Sequence, residues 1–327
     1  GGFGVGGGGG GKSAQKKTKK KAGVNSPGIS PATQRLVEAA RLDGVVRVPS
    51  VLCPEKTAAL RAAIVTELEL MRSDIRADPT RSVDYFYVPA EIHFSTPRGY
   101  ILLPFCDRDA HDEGADGVGP IVTAARELLG KGSQLADLFG ELCGAASGVD
   151  PQLYDWCSLR TEPGAARQLV HADTPFQATP GLFCAFVALQ DVEVPMGGTL
   201  FLPGTHLQTP ERARYDAGGP AKSAMLANAA AAGARRAHLK AGDAVVFDMR
   251  VLHAGLPNLA EGGAPRFLLA VTFRNPAARG ALGHRPNLRP GYVGRHTLAS
   301  FQAELAGPAP FAAAGDGVLA ASSSSAT

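Results

Sequence analysis

The sequence predicts a mostly β core with flanking helices, and three observations support this fold class. Apolar residues make up 45% of the chain and charged residues 19%, which is a globular composition. Helical periodicity dominates the first half, whereas short apolar segments separated by turn residues dominate from about Leu153 onward. Short strands at such close spacing are typical of an antiparallel sandwich or barrel such as a jelly roll. The strand-like segments are 153–160, 167–172, 183–190, 198–203, 236–240, 244–249, 251–254 and 266–274.

Helical patterns surround and interrupt these strands. Residues 54–71 repeat apolar side chains at helical spacing, and residues 119–143 predict two further helices separated by glycines. The Ala-rich segment 220–236 predicts a helix inserted between strands. The predicted organisation is a disordered Gly/Lys-rich tail (1–30), a mainly helical region that supports the core (31–150), the β core (151–280, with a helical insertion at about 207–236), an extension packed on the core (281–306) and a second disordered tail (307–327).

The formal net charge of +3 is unevenly distributed. Six lysines and no acidic residue fall within residues 1–30, so the remaining chain holds 27 basic and 30 acidic residues, a net charge of −3. The folded body is therefore not expected to bind nucleic acid. No window approaches the roughly 18–20 apolar residues that span a bilayer, so no membrane span is expected.

Two further features weigh against other kinds of site. The five cysteines are scattered, odd in number and without CxxC spacing, which disfavours a disulfide framework and a cysteine-type zinc site and favours a reducing intracellular compartment. Residues 6–13 match the phosphate-binding pattern GxxxxGK[ST], but they follow a glycine run rather than a strand and precede lysines rather than a helix. We therefore expect no phosphate site there.

Three residues in the β-rich half carry the chemistry. His171 and Asp173 stand two residues apart, a spacing that puts both side chains on one face of a strand, and His253 follows 82 residues later. Two imidazoles and one carboxylate form the facial triad that holds non-haem Fe(II) and leaves three coordination positions open. The sequence therefore predicts His171, Asp173 and His253 as metal ligands and catalytic residues.

An arginine is expected to complete this site. A dicarboxylic cosubstrate that chelates iron at one end leaves a distant carboxylate, which a buried guanidinium can bind through two parallel hydrogen bonds. Arg266 and Arg274 compete for this role. The loop after His253 reverses the chain and brings position 266 level with it, whereas position 274 lies eight residues and about 26 Å further along. This geometry favours Arg266.

These residues, in this order, resemble a known family. The run QLVHAD, then GGTLFLPGTH, then AGDAVVFDMRVLHAGLPN, then the arginine is similar to the phytanoyl-CoA dioxygenase-like branch of Fe(II)/2-oxoglutarate-dependent oxygenases over about residues 150–275. The resemblance implies a cupin-like double-stranded β-helix core, the same three iron ligands and Arg266 as the 2-oxoglutarate clamp. It also matches Asn258 and Gln168 to residues near the cofactors. Relatives place a hydroxyl shortly after the clamp, and Thr199 or Thr272 is a candidate substitute.

The resemblance implies a specific type of reaction. The expected cofactors are Fe(II), 2-oxoglutarate and O₂, with ascorbate as reductant, and the products include succinate and CO₂. Because related halogenases replace the carboxylate ligand with a small residue, Asp173 favours hydroxylation of an unactivated C–H. The substrate is expected to be a small molecule or acyl compound that the sequence does not identify, and the oligomeric state is likewise unspecified.

A different functional class stays open at this point. The same fold and ligands suit a jelly-roll protein with a structural metal, or a cupin-like Zn or Mn enzyme that activates water without 2-oxoglutarate. A third interpretation makes the lysine-rich tail an interaction segment.

Overall fold

The computed structural model describes residues 28–88, 90–105, 119–144, 148–228, 233–307 and 310–311. The lysine-rich segment, the phosphate-binding pattern and nearly all of the predicted tails lie outside these residues.

Two antiparallel sheets form the core. A six-stranded sheet has the order β1-β7-β4-β9-β3-β2, and a three-stranded sheet has the order β6-β5-β8. The rings of Phe201 on the small sheet and Phe247 on the large sheet lie 5.1 Å apart, so the sheets face each other. The strands are β1 (Val45–Val48), β2 (Arg98–Leu102), β3 (Gln152–Thr161), β4 (Leu182–Ala188), β5 (Thr199–Leu202), β6 (Arg235–Ala237), β7 (Ala244–Asp248), β8 (Leu252–Gly255) and β9 (Arg266–Arg274).

Strand β9 shows how the large sheet separates two environments. Its neighbours are β3 on one side and β4 on the other, so it lies inside the sheet. Phe267, Leu269, Val271 and Phe273 belong to the hydrophobic core under the helices. The intervening side chains point to the inner face, between the sheets. A strand buried on both faces reads as a nearly continuous apolar run, as RFLLAVTFR does.

Helices cover the outer face of the large sheet. Helix α2 begins after Cys53 with a proline at its first turn, where the missing N–H would have no intrahelical partner. Its face that includes Leu60, Ile64 and Met71 is fully buried, which confirms the helical periodicity. The helices are α1 (Pro31–Asp43), α2 (Pro54–Ala77), α3 (Ala90–Ser95), α4 (Pro120–Leu129), α5 (Gln134–Phe139), α6 (Pro210–Ala217), α7 (Gly219–Ala227) and α8 (Leu298–Leu305). Among the described residues, none of these helices is both long and apolar enough to cross a membrane.

The structure differs from the predicted elements in three places. The predicted helix 220–236 ends at Ala227, and β6 (Arg235–Ala237) includes its last two positions. The region with helical patterns also contributes β1 and β2, which form the two edges of the large sheet. These strands have four and five residues, too few to show alternation in the sequence. The predicted strand 167–172 has no regular ladder. The N–H of Gly255 donates to the side-chain oxygen of Gln168 (2.8 Å) rather than to a backbone carbonyl. A single bridge, between His171 and His253, remains.

The C-terminal part of the described chain belongs to the core. Tyr292, Phe301 and Leu305 are buried against the helical layer. Phe311, which composition assigned to the second tail, is also buried, and its ring stacks on Phe105 with 4.9 Å between centroids. An aromatic side chain that fills a gap between helices is not visible in an Ala- and Pro-rich segment.

The turn before β7 requires glycine. Gly242 has φ +82°, and a Cβ there would collide with the backbone oxygen of Leu52. Gly132 has the same φ, with open space around the Cβ position.

We expect Gly132→Ala to cost about 1–2 kcal/mol of unfolding free energy for the left-handed backbone alone. Gly242→Ala should cost about 3 kcal/mol or more, because the collision adds to it. Urea denaturation of the two variants measures both costs, and equal losses would contradict the steric explanation.

Candidate active site

A cavity of about 540 Å³ lies between the two sheets. The strands β2, β3, β4 and β9 of the large sheet supply one wall, and β8 and the segment around His171 supply the opposite wall. The cavity contains all three predicted metal ligands together with Arg266. The groups predicted from three separate stretches of sequence therefore share one cavity.

The three predicted ligands converge on one point. The Nε2 atom of His171 lies 3.4 Å from one carboxylate oxygen of Asp173, and the Nε2 atom of His253 lies 3.3 Å from the other. One ligand atom from each residue falls within 4.8 Å of the other two. This spacing suits a single metal ion between them.

The backbone brings the two histidines together. The N–H of each donates to the carbonyl oxygen of the other, at 2.9 Å and 2.8 Å, and the ring centroids lie 4.5 Å apart. His253 is held in β8 by pairing with β5. The N–H of Asp173 donates to the carbonyl oxygen of Met249 (3.0 Å), which turns the carboxylate toward both rings. Asp173 therefore reaches the histidines from an irregular segment, rather than from the regular strand that its spacing predicted.

The imidazoles are oriented for metal binding. The Nδ1 atom of His171 lies 2.8 Å from the carbonyl oxygen of Leu169, and that of His253 lies 3.0 Å from the carbonyl oxygen of Val251. Because a carbonyl oxygen only accepts, Nδ1 carries the proton in each ring. The lone pair of each neutral ring is then on Nε2, which faces Asp173. Such contacts to the outer ring nitrogen commonly fix metal-binding histidines.

Electrostatics favour the carboxylate form of Asp173. Burial acts to raise its pKa, but hydrogen bonds from His171 and His253 hold that pKa well below its usual range. The contact with Asp173 in turn raises the pKa of His171. The site thus places an anionic oxygen ligand beside the Nε2 atoms of two imidazoles.

Arg266 forms a second, cationic part of the site. It is only 4% exposed, and its guanidinium donates to the carbonyl oxygen of Met196 (3.4 Å) and the hydroxyl of Thr161 (3.3 Å). Its Nε atom is buried without a hydrogen-bond partner. Among the described residues, no carboxylate forms an ion pair with it. A buried guanidinium that keeps donors unpaired is ready to bind an anion.

A second arginine, Arg98 on β2, strengthens this positive end. It lines the same cavity, and its Nη2 donates to the carbonyl oxygens of Leu256 (2.7 Å) and Ala166 (2.8 Å). Burial lowers the pKa of Arg266 to about 10, and the like charge of Arg98 adds to that effect. The sequence carries no signal for Arg98, because no motif surrounds it and its short strand lies in a region of helical patterns.

The other predicted site residues lie at different distances from the chemistry. Gln168 and Thr199 line the cavity. The structure does not bring Asn258 to the cavity wall. Its side-chain nitrogen donates to the carbonyl oxygens of Thr161 (3.0 Å) and Ala264 (2.8 Å), so it secures the turn that precedes β9. Arg274, the competitor of Arg266, lies at the far end of β9 and does not line the cavity.

The donor set matches the group that the sequence analysis predicted. Two neutral imidazole nitrogens and one carboxylate oxygen suit ferrous iron, and the cavity leaves their open side free. The buried Arg266 and the half-buried Arg98 beside them suit the distant carboxylate of a chelating dicarboxylic acid. The described residues thus fit both iron and 2-oxoglutarate.

Comparison with known proteins agrees with this description. The family model described as phytanoyl-CoA dioxygenase (PhyH) matches residues 40–267. AviO1 from Streptomyces viridochromogenes Tue57 is 24% identical, with a TM-score of 0.48, over 76% of this chain and 97% of that one. EctD from S. alaskensis, solved with 2-oxoglutarate and 5-hydroxyectoine, is 16% identical, with a TM-score of 0.48, over 82% and 84%. The epimerase SnoN from nogalamycin biosynthesis is 20% identical, with a TM-score of 0.43, over 79% and 92%.

The family match covers more than half of the chain and includes every candidate ligand. It confirms the resemblance that the order of motifs suggested. The chain belongs to the phytanoyl-CoA dioxygenase family of iron- and 2-oxoglutarate-dependent oxygenases.

Proposed function

We propose that this oxygenase hydroxylates an unactivated C–H bond of a small molecule, with conversion of 2-oxoglutarate to succinate and CO₂. One observation carries the proposal. The group formed by His171, Asp173 and His253 shares its cavity with Arg98 and Arg266, neither of which has an acidic partner among the described residues.

The three ligands have distinct roles in this proposal. His171 and His253 would bind iron through Nε2, because their Nδ1 protons are committed to carbonyl oxygens. Asp173 would bind through its carboxylate, and its presence favours hydroxylation because no space is left for a halide in that position. Iron held there supplies the activation of O₂ that oxidation of a C–H bond requires.

The arginines would select and orient the cosubstrate. Arg266 provides unpaired donors at the end of β9, and Arg98 adds positive potential without competing for the same carboxylate oxygens, since its Nη2 already donates to two carbonyls. A carboxylate bound there would relieve the repulsion between the two guanidinium groups. The binding energy gained in this way fixes the position of the acid relative to the metal ligands.

Apolar side chains form part of the cavity wall. Leu159, Phe186 and Leu268 line the cavity. Side chains without hydrogen-bonding groups strengthen the electrostatic interactions beside them and reduce side reactions with water. In this proposal the chain would provide metal ligation, a cosubstrate clamp and a partly apolar reaction space.

The metal site is tested by removing one ligand. We expect His171→Ala to weaken anaerobic binding of Fe(II) by at least about 100-fold, because loss of a direct ligand exceeds the 10–100-fold typical of supporting residues. The visible band formed by Fe(II) with 2-oxoglutarate should also be lost. Calorimetric and spectroscopic titrations measure both effects.

The matched control is His238→Ala, which removes an exposed histidine that does not line the cavity. It should bind Fe(II) like the unmodified protein. An unchanged band in His171→Ala would contradict the ligand assignment. Tight zinc retention in the unmodified protein, with no response to 2-oxoglutarate, would instead favour a zinc enzyme.

The clamp is tested on β9, where two arginines stand at opposite ends. Arg266→Gln should raise the dissociation constant of 2-oxoglutarate at least about 30-fold, because removing one partner of a buried charge pair costs about 2 kcal/mol or more. Arg274→Gln should change it by less than about twofold, since that side chain does not line the cavity. Titration of the Fe(II)-loaded protein measures both constants, and the reverse order would refute the assignment.

A further inference from the structure

The cavity has two ends of opposite chemical character. In the register of β3 and β9, Thr161 stands opposite Arg266, whereas Asp155 stands opposite Thr272. Six residues separate these pairs, which is about 20 Å along a strand. The arginines lie at the first end. The second end, which we call the acidic end, is formed by Asp155, His284 and Asn287, and all three line the cavity.

Asp155 is a buried carboxylate that forms no ion pair with an arginine or lysine among the described residues. Only 3% of the residue is exposed, and its Oδ1 accepts the backbone N–H of Asn287 at 2.8 Å. Burial raises its pKa, although His284, Thr272 and Asn287 act in the opposite direction. Among the described residues, no arginine or lysine nitrogen lies within ion-pair distance, although Asp243 and Asp248, which are also buried, pair with arginines. A buried carboxylate is costly unless another group compensates it.

His284 adds a second acceptor to the acidic end. Its Nδ1 lies 2.8 Å from the carbonyl oxygen of Arg285 and therefore donates. In the neutral ring Nε2 is then an acceptor, and that atom is buried without a partner. With the His284 ring in this neutral form, two acceptors, Asp155 and His284, border the same part of the cavity. A ligand that satisfies both must offer at least two donors.

The backbone holds His284 beside the candidate metal centre. Gly283 has φ +87°, and a Cβ there would collide with the carbonyl oxygen of Asp173, so the two segments are in close contact. The hydroxyl of Tyr154 donates to the carbonyl oxygen of His284. These contacts hold the acidic end in the cavity wall, next to the metal ligands.

The remaining side chains at this end carry no positive charge. Cys157, Cys184 and Ala270 line it together with Met249. Burial raises the pKa of both cysteine thiols well above the usual value, so they are neutral. The acidic end therefore suits a cationic donor and disfavours an acid.

We propose, on the basis of the function proposed above, that the substrate carries a protonated amine or amidine, which the acidic end binds through Asp155 and His284. The cationic nitrogen would place an adjacent carbon of the substrate toward the open side of the metal ligands. The cavity would then separate its two ligands by charge, with the dicarboxylic cosubstrate at the arginines and the cationic substrate at Asp155.

Matched pairs of small probes test this charge preference. The probes are benzylamine and benzyl alcohol, cyclohexylmethylamine and cyclohexylmethanol, and hexylamine and hexanol. Their affinities are measured by ligand-observed NMR titration, with and without Ni(II) and 2-oxoglutarate. We expect at least one amine to bind at least tenfold more tightly than its alcohol.

Two variants locate the preference. Asp155→Asn keeps an oxygen that accepts the N–H of Asn287, and it should weaken amine binding at least tenfold without changing alcohol binding. His284→Ala, on a partly exposed loop, should weaken amine binding at least threefold and provides the test if Asp155→Asn does not fold. The control Asp150→Asn removes a carboxylate outside the cavity and should bind the amines normally.

The inference is overturned if no amine binds, if amines bind no better than alcohols, or if both Asp155→Asn and His284→Ala retain normal amine affinity. These outcomes are distinct from failure of the proposed function. Normal binding of Fe(II) and 2-oxoglutarate without amine preference would remove only the cationic substrate. Amine preference in a protein that binds neither Fe(II) nor 2-oxoglutarate would remove only the oxygenase function.

Discussion

The paired backbone hydrogen bonds between His171 and His253 are the interaction on which the site depends. They join an irregular segment to β8 at one position, and they leave both imidazoles side by side. Since each ring donates through Nδ1 to a nearby carbonyl, the backbone that joins the residues also sets their tautomers. Asp173 follows His171 by two residues, and its carboxylate faces both imidazoles. The ligand arrangement is therefore a property of local backbone pairing, supported by the sheets on either side.

The large sheet extends this arrangement into a cavity with a direction. Alternation along β9 assigns every second side chain to the helical layer and the others to the inner face, so the sheet is a structural support and a binding wall at once. The two strands β3 and β9 run the whole length of the cavity. They place Arg266 at one end and Asp155 at the other. The order of residues along β3 and β9 thus places positive charge at one end of the cavity and an acidic side chain at the other.

Much of the fold and of the candidate site could be predicted from the sequence, because the relevant signals lie within single segments or in the order of motifs along the chain. Seven of the strand-like segments form strands, and the spacing of His171, Asp173, His253 and Arg266 identified one site. Other features depend on contacts between distant segments. Arg98 lies on a strand too short for a period, and Asp155 lies in an apolar run where a single acid reads as a chance interruption. His284 lies on a loop after the recognisable motifs. Sequence spacing predicts what one segment does, whereas these residues acquire their roles from tertiary packing.

The close contact between Gly283 and the backbone of Asp173 has a consequence for how such an enzyme can diversify. His284 and Asn287 lie on the segment between β9 and α8, whereas the metal ligands and Arg266 lie on other segments. If the acidic end binds the substrate, exchange of side chains on that segment would change substrate preference without replacing a metal ligand. A side chain at Gly283 would collide with the carbonyl oxygen of Asp173 and would therefore connect a change in this segment directly to a metal ligand. The acidic end and the metal ligands are thus coupled through a residue that has no side chain.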